Sequence, residues 1–406
     1  MTHHIFKFFI LFAFSSAAQQ IVVADEESKE PITGLVVFNS LATKTAVSDF
    51  DGLVDIKNFQ SFEKIYFGHL SYHKKSIRKS AIKDTIFLYP KSTSLNEVVI
   101  SASKFAQSKK EVPQNIISIN SKDIQFSNPQ TSADLLSNTG RVFVQKSQLG
   151  GGSPMIRGFS TNRLLITVDG VRLNNAIFRS GNVQNILSIN PFNVEKTEVI
   201  LGSGSVIYGS DAIGGVMNFY TTTPKLSNNK TPLLTTRSTL RHALANNEKT
   251  AYLGFNLGFQ KWGFHSSVSV SDFGDLKMGK YGPDDYLSLY YSEPLNGQDV
   301  MTPNTMPRVQ KFTNFSQMHL AQKVIYKASD DIQFDFGLHY STTSDYPRYD
   351  RLAILSDDGA LKYAEWNYGP QEWLLANSQM TKHSSSSIFY DKLKISTAYQ
   401  NFKESR

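Results

Sequence analysis

Large apolar side chains fall on every second position through three stretches in the C-terminal half of this sequence. In residues 251–260, Leu253, Phe255, Leu257 and Phe259 alternate with Tyr252, Gly254, Asn256, Gly258 and Gln260. Residues 262–272 repeat the pattern with Trp262, Phe264, Val268 and Val270, and residues 332–341 repeat it with Ile332, Phe334, Phe336, Leu338 and Tyr340. A period of two sends alternate side chains to opposite faces of a strand, so each stretch predicts one greasy and one polar face. Sandwich strands average about five or six residues, whereas ~9–11 are needed to cross a bilayer at a tilt, and the length here favours the membrane. Residues 312–326 and 372–381 alternate less cleanly and are assigned as strands by spacing. The connections 260–261, 327–331 and 383–387 are short, while 273–311 and 342–369 are long. Short turns on one side of a sheet and long loops on the other is the arrangement of an outer-membrane barrel. The first outer connection, residues 244–249, is short and departs from that rule.

The N-terminal half reads differently. Residues 32–38, 53–56, 64–70 and 85–89 form short β-type runs, with Asp49-Phe50-Asp51-Gly52 as a turn, so residues 21–90 predict a small β-sandwich. Residues 91–107 are a linker containing Glu97, Val98, Val99, Ile100, Ser101 and Ala102, a β-branched core between polar flanks that could add itself to another protein's sheet edge. In residues 108–224, clustered glycines punctuate the runs 164–168 and 197–201, and residues 132–136 suggest one short helix. That region predicts a compact α/β domain. The fold class is therefore mainly β: an N-terminal β-sandwich, an α/β domain, and the first strands, in residues 233–406, of a large antiparallel transmembrane β-barrel.

Composition narrows this further. Across 406 residues a 40% hydrophobic and 19% charged mix excludes disorder, and a mean hydropathy of −0.28 excludes a bundle of membrane helices. The sequence has no cysteine, which removes disulfides and thiolate sites. The net charge of +7 is spread along the chain without a nucleic-acid motif, so no nucleic-acid partner is expected. Residues 1–18 carry a basic residue, an apolar core and Ser16-Ala17-Ala18, as a secretory signal peptide does. No His-Glu-x-x-His, Gly-x-Ser-x-Gly or EF-hand spacing occurs, so no catalytic residue, metal ligand or cofactor is assigned and the chain is not expected to be an enzyme. Gly202-Ser203-Gly204 follows a strand, but no Lys-Ser or Lys-Thr comes after Gly209, and a structural turn outweighs a phosphate loop.

The motif Gly152-Ser153-Pro154-Met155-Ile156-Arg157-Gly158-Phe159, followed by Asn162-Arg163-Leu164-Leu165-Ile166 and Val168-Asp169-Gly170-Val171-Arg172, resembles the central plug segment of TonB-dependent outer-membrane transporters. Residues 194–218 resemble the closing plug segment, with Gly202, Gly204, Tyr208, Gly209, Gly214 and Gly215 in order. Arg157, Gly158, Arg163, Asp169, Gly170 and Arg172 complete the plug motif. Ser203 stands where the family usually has proline, which leaves Gly202 and Gly204 free for positive φ.

By the same resemblance, residues 97–102 are similar to a TonB box and residues 21–90 to a carboxypeptidase-regulatory-like domain. The resemblance implies a plug, residues 108–224, gating a barrel in the cell outer membrane. It also implies TonB, outer-membrane lipid and an iron complex or haem as partners. Arg157, Arg163 and Arg172 would either brace local turns or pair with acids on the barrel wall, and His265 and His339 would face the lumen as wall residues. Residues 174–181 and 184–186 resemble the haem and haemoglobin receptor branch, although no histidine lies between Arg141 and Gly209. A plugged barrel needs roughly 22 strands; the chain supplies about a third of them and ends in mid-pattern, so it is read as truncated. The rival readings are a passive porin-like or structural barrel and a secreted adhesin.

Overall fold

The computed structural model describes residues 20–406 apart from 27, 91–97, 147, 161–162, 174–185 and 385–386. The signal peptide assigned to 1–18, Glu97, and most of the haem-branch resemblance at 174–186 lie outside the described residues. The chain divides into two compact units, residues 1–97 and 98–406.

In the first unit, Gln20–Asp25 pairs antiparallel with Leu53–Asp55 and parallel with Thr85–Leu88. A second sheet runs in the order Thr45–Val47, Val36–Asn39, Lys64–His69, Tyr72–Arg78. Both sheets feed one core that includes Val23, Leu35, Val37, Ile56, Phe67 and Leu88. The turn expected at Asp49 is made by its carboxylate, whose Oδ1 accepts the N–H groups of Asp51 at 3.0 Å and Leu53 at 2.8 Å. Tyr72–Arg78 escaped the sequence reading because it is an edge strand with mostly exposed, lysine-rich positions.

In the second unit, β1 (Ile116–Asn120), β2 (Leu164–Val168), β3 (Val171–Arg172), β4 (Val194–Ile200) and β5 (Gly215–Thr221) form a mixed sheet ordered β1-β4-β5-β2-β3. β2 is parallel to β5 and buried at every position, as its unbroken Leu-Leu-Ile-Thr-Val run requires. Helix α1 (Ser121–Ser127) opens at a capping box made by Asn120 and Asp123, and α2 (Ser132–Ser137) at one made by Thr131 and Asp134. The second matches the expected helix. The first buries only Ile124, so it leaves little hydrophobic period to read.

Seven strands follow in chain order, each antiparallel to the next: β6 (Leu233–Ala243), β7 (Glu248–Gly258), β8 (Trp262–Phe273), β9 (Phe315–Lys327), β10 (Ile332–Thr343), β11 (Gln371–His383) and β12 (Lys392–Glu404). They are 11 to 13 residues long, enough at ~3.3 Å per residue to cross a bilayer core at a tilt. Their sidedness is inverted relative to a soluble sheet. In β7, Tyr252 and Asn256 are 3% and 6% exposed, while Leu253 and Phe255 are 49% and 41% exposed. The polar face packs on the α/β domain and the greasy face is left outward, an arrangement stable only in lipid. Among the described residues no helix is long and apolar enough to cross a membrane.

The irregular alternation of β9 and β11 has a packing cause. Phe315 of β9 joins a cluster with Leu149 of the α/β domain and Tyr346, and Trp373 and Leu375 of β11 join that domain's own core. Greasy groups therefore point inward where the domain inside offers them an apolar surface. Because Leu253 sits midway along β7, Leu253→Arg is expected to cost about 2–4 kcal/mol of barrel stability in lipid. Urea unfolding in vesicles should read this as a lowered midpoint. An unchanged midpoint would show that this face does not meet lipid.

Candidate functional site

The inner domain is held to the wall by polar groups brought together from distant parts of the chain. Asp169 and Gly170 have φ values of 49° and 83°, the pair of positive angles that a two-residue hairpin turn between β2 and β3 demands. The turn presents the Asp169 carboxylate to Thr221, whose N–H and hydroxyl donate to it at 2.8 and 2.6 Å. From the wall, Lys323 Nζ of β9 lies 3.2 Å from Asp169 Oδ2 and donates to Thr221 Oγ1 at 2.9 Å, and His339 Nε2 of β10 lies 3.4 Å from Asp169 Oδ2. Burial pushes the Asp169 carboxyl up, but Lys323 and His339 pull it down by more and hold it well below the usual carboxylate range.

A second contact centres on Glu248, which is wholly buried at the start of β7. Its Oε1 accepts from Arg241 Nε at 2.8 Å and Thr250 Oγ1 at 2.6 Å, and its other oxygen accepts from Gln130 of the inner domain. Arg241 also reaches inward, donating to Asn128 Oδ1 at 3.0 Å and the Pro129 carbonyl at 2.9 Å. Smaller contacts add to the interface, among them Gln317 Nε2 to the Leu187 carbonyl at 2.5 Å, His265 Nε2 with Asn193 Oδ1 at 3.2 Å, and Asn256 Oδ1 with the Lys225 N–H at 2.6 Å. Each of these groups can exchange its partner for water, which a dry apolar interface cannot do.

The segment 98–102 is docked on the opposite part of the sheet. Val98–Val99 pairs antiparallel with Gln107–Ser108. The Glu198 carboxylate of β4, with no exposed surface, accepts the Ile100 N–H at 3.0 Å and the Ser101 N–H at 2.7 Å. Lys196 Nζ lies 2.6 Å from Glu198 Oε1 and also bonds the Val98 carbonyl. Tyr208 donates to the Ser101 carbonyl at 2.8 Å. Burial pushes the Tyr208 hydroxyl up to about 12, against the opposing hydrogen bond from Asn218 and helped by the Glu198 charge, so it stays a proton donor. Val99 and Ala102 are buried with Ile116, Leu165, Ile200 and Val216. The backbone groups that would zip this segment to another sheet are thus occupied, and it must leave its dock before it can pair elsewhere.

The sequence-selected residues divide accordingly. Val98, Val99, Ile100, Ser101, Ala102 and Tyr208 meet at this dock; Asp169 and Gly170 form the wall contact. Arg172 pairs with Asp211 inside the domain, and Arg157 and Arg163 are exposed and make no ion pair with the wall among the described residues. The charge link crosses the interface in the other sense, with the acid on the plug and the base, Lys323, on the wall. Gly202 has φ of 152°, but Gly204 has φ of −105°. Gly204 is needed for closeness instead, since a Cβ there would lie 2.6 Å from Val216 Cγ2. Gly158, Gly209, Gly214 and Gly215 lie in the surrounding turns and at the start of β5.

The sequence reading missed Lys196, Glu198, Arg241, Glu248 and Lys323. The one available signal was Glu198, an acid followed by Val199 and Ile200 in the part of the strand, residues 197–200, that is buried throughout.

Residues 108–216 match the TonB-dependent Receptor Plug Domain family. The chain is 34% identical over 154 residues to the "Vitamin B12 transporter BtuB" of Vibrio vulnificus (strain CMCP6), covering 36% of this chain and 24% of that protein. It is 33% identical over 131 residues to the protein of the same name from Photobacterium profundum, covering 32% and 21%. It therefore spans about a quarter of the length of these curated relatives. Among solved structures, the FrpB iron transporter from Neisseria meningitidis (F3-3 variant) is similar with a TM-score of 0.54 at 15% identity, covering 71% of this chain and 41% of that one. The copper transporter OprC is similar at 0.51 and 14%, covering 70% and 37%. At these identities the structures speak for the fold.

Proposed function

We infer that this chain belongs to the TonB-dependent receptor family and acts in the outer membrane as a receptor for active import of a scarce ligand. The observation that carries this reading is the pairing of a lipid-facing wall with a domain held inside it by exchangeable polar contacts beside a few apolar ones at Trp373, Leu375 and Phe315. A passive channel has no use for such a stopper, and a soluble protein has no use for such a wall.

In this reading residues 97–102 are the strand that TonB captures. Ligand binding on the outer side favours the state in which that strand is undocked, since a ligand shifts an equilibrium only by its differential affinity for the two states. TonB then pairs with the freed edge and pulls, and the plug's contacts at Asp169 and Glu248 yield to water. The cargo is an iron complex, either a ferric siderophore or haem. Residues 21–90 serve as a carboxypeptidase-regulatory-like domain ahead of the plug in the chain.

Deleting residues 97–102 is the direct test. The variant is expected to reach the outer membrane in normal amount, to lose binding of TonB's periplasmic domain, and to lose iron-complex uptake to background. Uptake that survives the deletion unchanged would instead favour a passive porin-like barrel, and recovery of the protein in surface-washable material would favour an adhesin.

A further inference from the structure

The two long outer connections enclose a cleft that none of the contacts above uses. We propose that it is a binding site for an aromatic anion, a single ring bearing a carboxylate or similar acidic group. As a ligand site on the outer side of an importing receptor, this rests on the import reading above and is separate from the iron-complex cargo; as a binding site, it stands on geometry alone.

The cleft lies between the connection from β8 to β9 and the connection from β10 to β11. It has a volume of about 190 Å³, with Tyr290, Tyr291 and Phe312 on one side and Tyr349 and Tyr363 on the other. Leucine and alanine residues, with Ser288 and Ser292, make up the rest of its lining apart from Lys311. An apolar cavity of about 150 Å³ is enough to take a benzene molecule, so this one has room for one substituted ring. The rings offer both faces and edges: Tyr291 and Phe312 meet edge-on at 74° with centroids 5.6 Å apart. A flat π-system can add to such a set in offset or T-shaped contact, whereas a branched aliphatic chain gains only area. Tyr290 and Phe312 remain 46% and 42% exposed, so the site is open to a ligand from outside.

Charge selects among aromatic ligands. Lys311 lines the cleft, and no acidic residue does. Among the described residues Lys311 makes no ion pair, unlike Arg348 nearby, whose guanidinium is committed to Asp350. An anionic substituent would pair with the Lys311 ammonium next to a low-dielectric wall, where the attraction exceeds that in open water. An amine on the same ring would be repelled.

The cleft also has a mechanical connection to the plug. The loop that supplies Tyr349 and Tyr363 begins with Tyr346, which is 1% exposed and clustered with Leu149, Phe273, Phe315 and Tyr368. Tyr346 sits so close over the plug that a Cβ on Gly150 would lie 2.9 Å from its own Cβ. A ring that draws the two connections together therefore acts on the segment that rests on Gly150.

The test uses the full chain extracted from outer membranes in detergent, with benzoate as probe and benzylamine and cyclohexanecarboxylate as controls, read by calorimetry and saturation-transfer NMR. Benzoate should bind saturably, cyclohexanecarboxylate about tenfold more weakly, and benzylamine without saturation. Lys311→Gln should weaken benzoate about tenfold while leaving thermal unfolding unchanged, and Tyr291→Ala and Tyr363→Ala should each do the same. Absence of saturable benzoate binding, equal binding of benzylamine, or indifference to Lys311→Gln overturns the proposal. A chain that fails with benzoate yet binds TonB's periplasmic domain would lose the cleft and keep the import reading. A chain that binds benzoate selectively but not TonB would keep the cleft as a site and lose its place in TonB-driven import.

Discussion

Glu198→Ala is expected to release residues 98–102 from the plug. The carboxylate accepts two backbone N–H groups and the Lys196 ammonium in a site with no solvent exposure. Hydrogen bonds to a charged group contribute about 1.5–3 kcal/mol each, so losing both N–H bonds should cost the docked state about 4 kcal/mol. Tyr208 would still hold the Ser101 carbonyl, and Val99 and Ala102 would still favour burial. Amide exchange at Ile100 and Ser101 should accelerate by orders of magnitude, and a spin label at Val98 should become mobile, while the strands of the plug sheet stay protected. Glu198→Gln, which keeps a carbonyl acceptor but not the charge opposite Lys196, should fall between. If the segment is what TonB captures, Glu198→Ala should also strengthen binding of TonB's periplasmic domain in the absence of ligand, since the competent state is no longer a minor one. Continued protection of both amides in the alanine variant would show that the apolar contacts, not the acid, hold the dock.

The second large effect is expected at Asp169. Removing one partner of a buried ion pair leaves the other charge uncompensated, at a cost of about 3–5 kcal/mol. Asp169→Ala strands Lys323 against the plug and also removes a residue suited to φ of 49°. Asp169→Asn tolerates that backbone and keeps an acceptor for Thr221, so the difference between the two variants separates turn strain from charge. Urea titration followed by a fluorophore on the plug should show the plug leaving the wall at lower denaturant in both, and most in Asp169→Ala.

Acidity should act in the same direction. Because the folded carboxyl is held below its unfolded value, its contribution is complete above the ordinary carboxylate range near pH 4 and is lost as pH falls below it. Wild-type plug attachment should therefore weaken on acidification below about pH 4, and Asp169→Asn should lose that dependence. An identical acid response in the variant would assign it to other carboxylates.

Much of this architecture could be read from residue order. The alternation at Leu253, Phe255 and Leu257 gave the face of β7 correctly, because lipid and lumen impose opposite preferences on successive residues. The glycines around residues 164–168 marked turns, and residues 132–136 marked the short helix that runs over Ser132–Ser137. What failed had a physical reason in each case. β11 broke the alternation because Trp373 and Leu375 turn inward into the plug core, and Gly204 owes its identity to a neighbour, Val216, rather than to its own φ.

Residue order was enough to say which residues face lipid in the cleanly alternating strands β7, β8 and β10, where many of the turns fall, and that one glycine-rich domain precedes a run of long strands. Those properties depend on local periodicity and on backbone angles that only certain residues accept. The partners became visible only in the folded chain: Lys323 meets Asp169 across 154 positions, and Ile100 meets Glu198 across 98. Periodicity tells a side chain which face it is on, but which charge it finds there depends on strand order and register. Of the two readings of the plug arginines, Arg172 with Asp211 follows the local brace and, among the described residues, none pairs with a wall acid, because a charge on the surface of one domain is paired only by what folding carries to it.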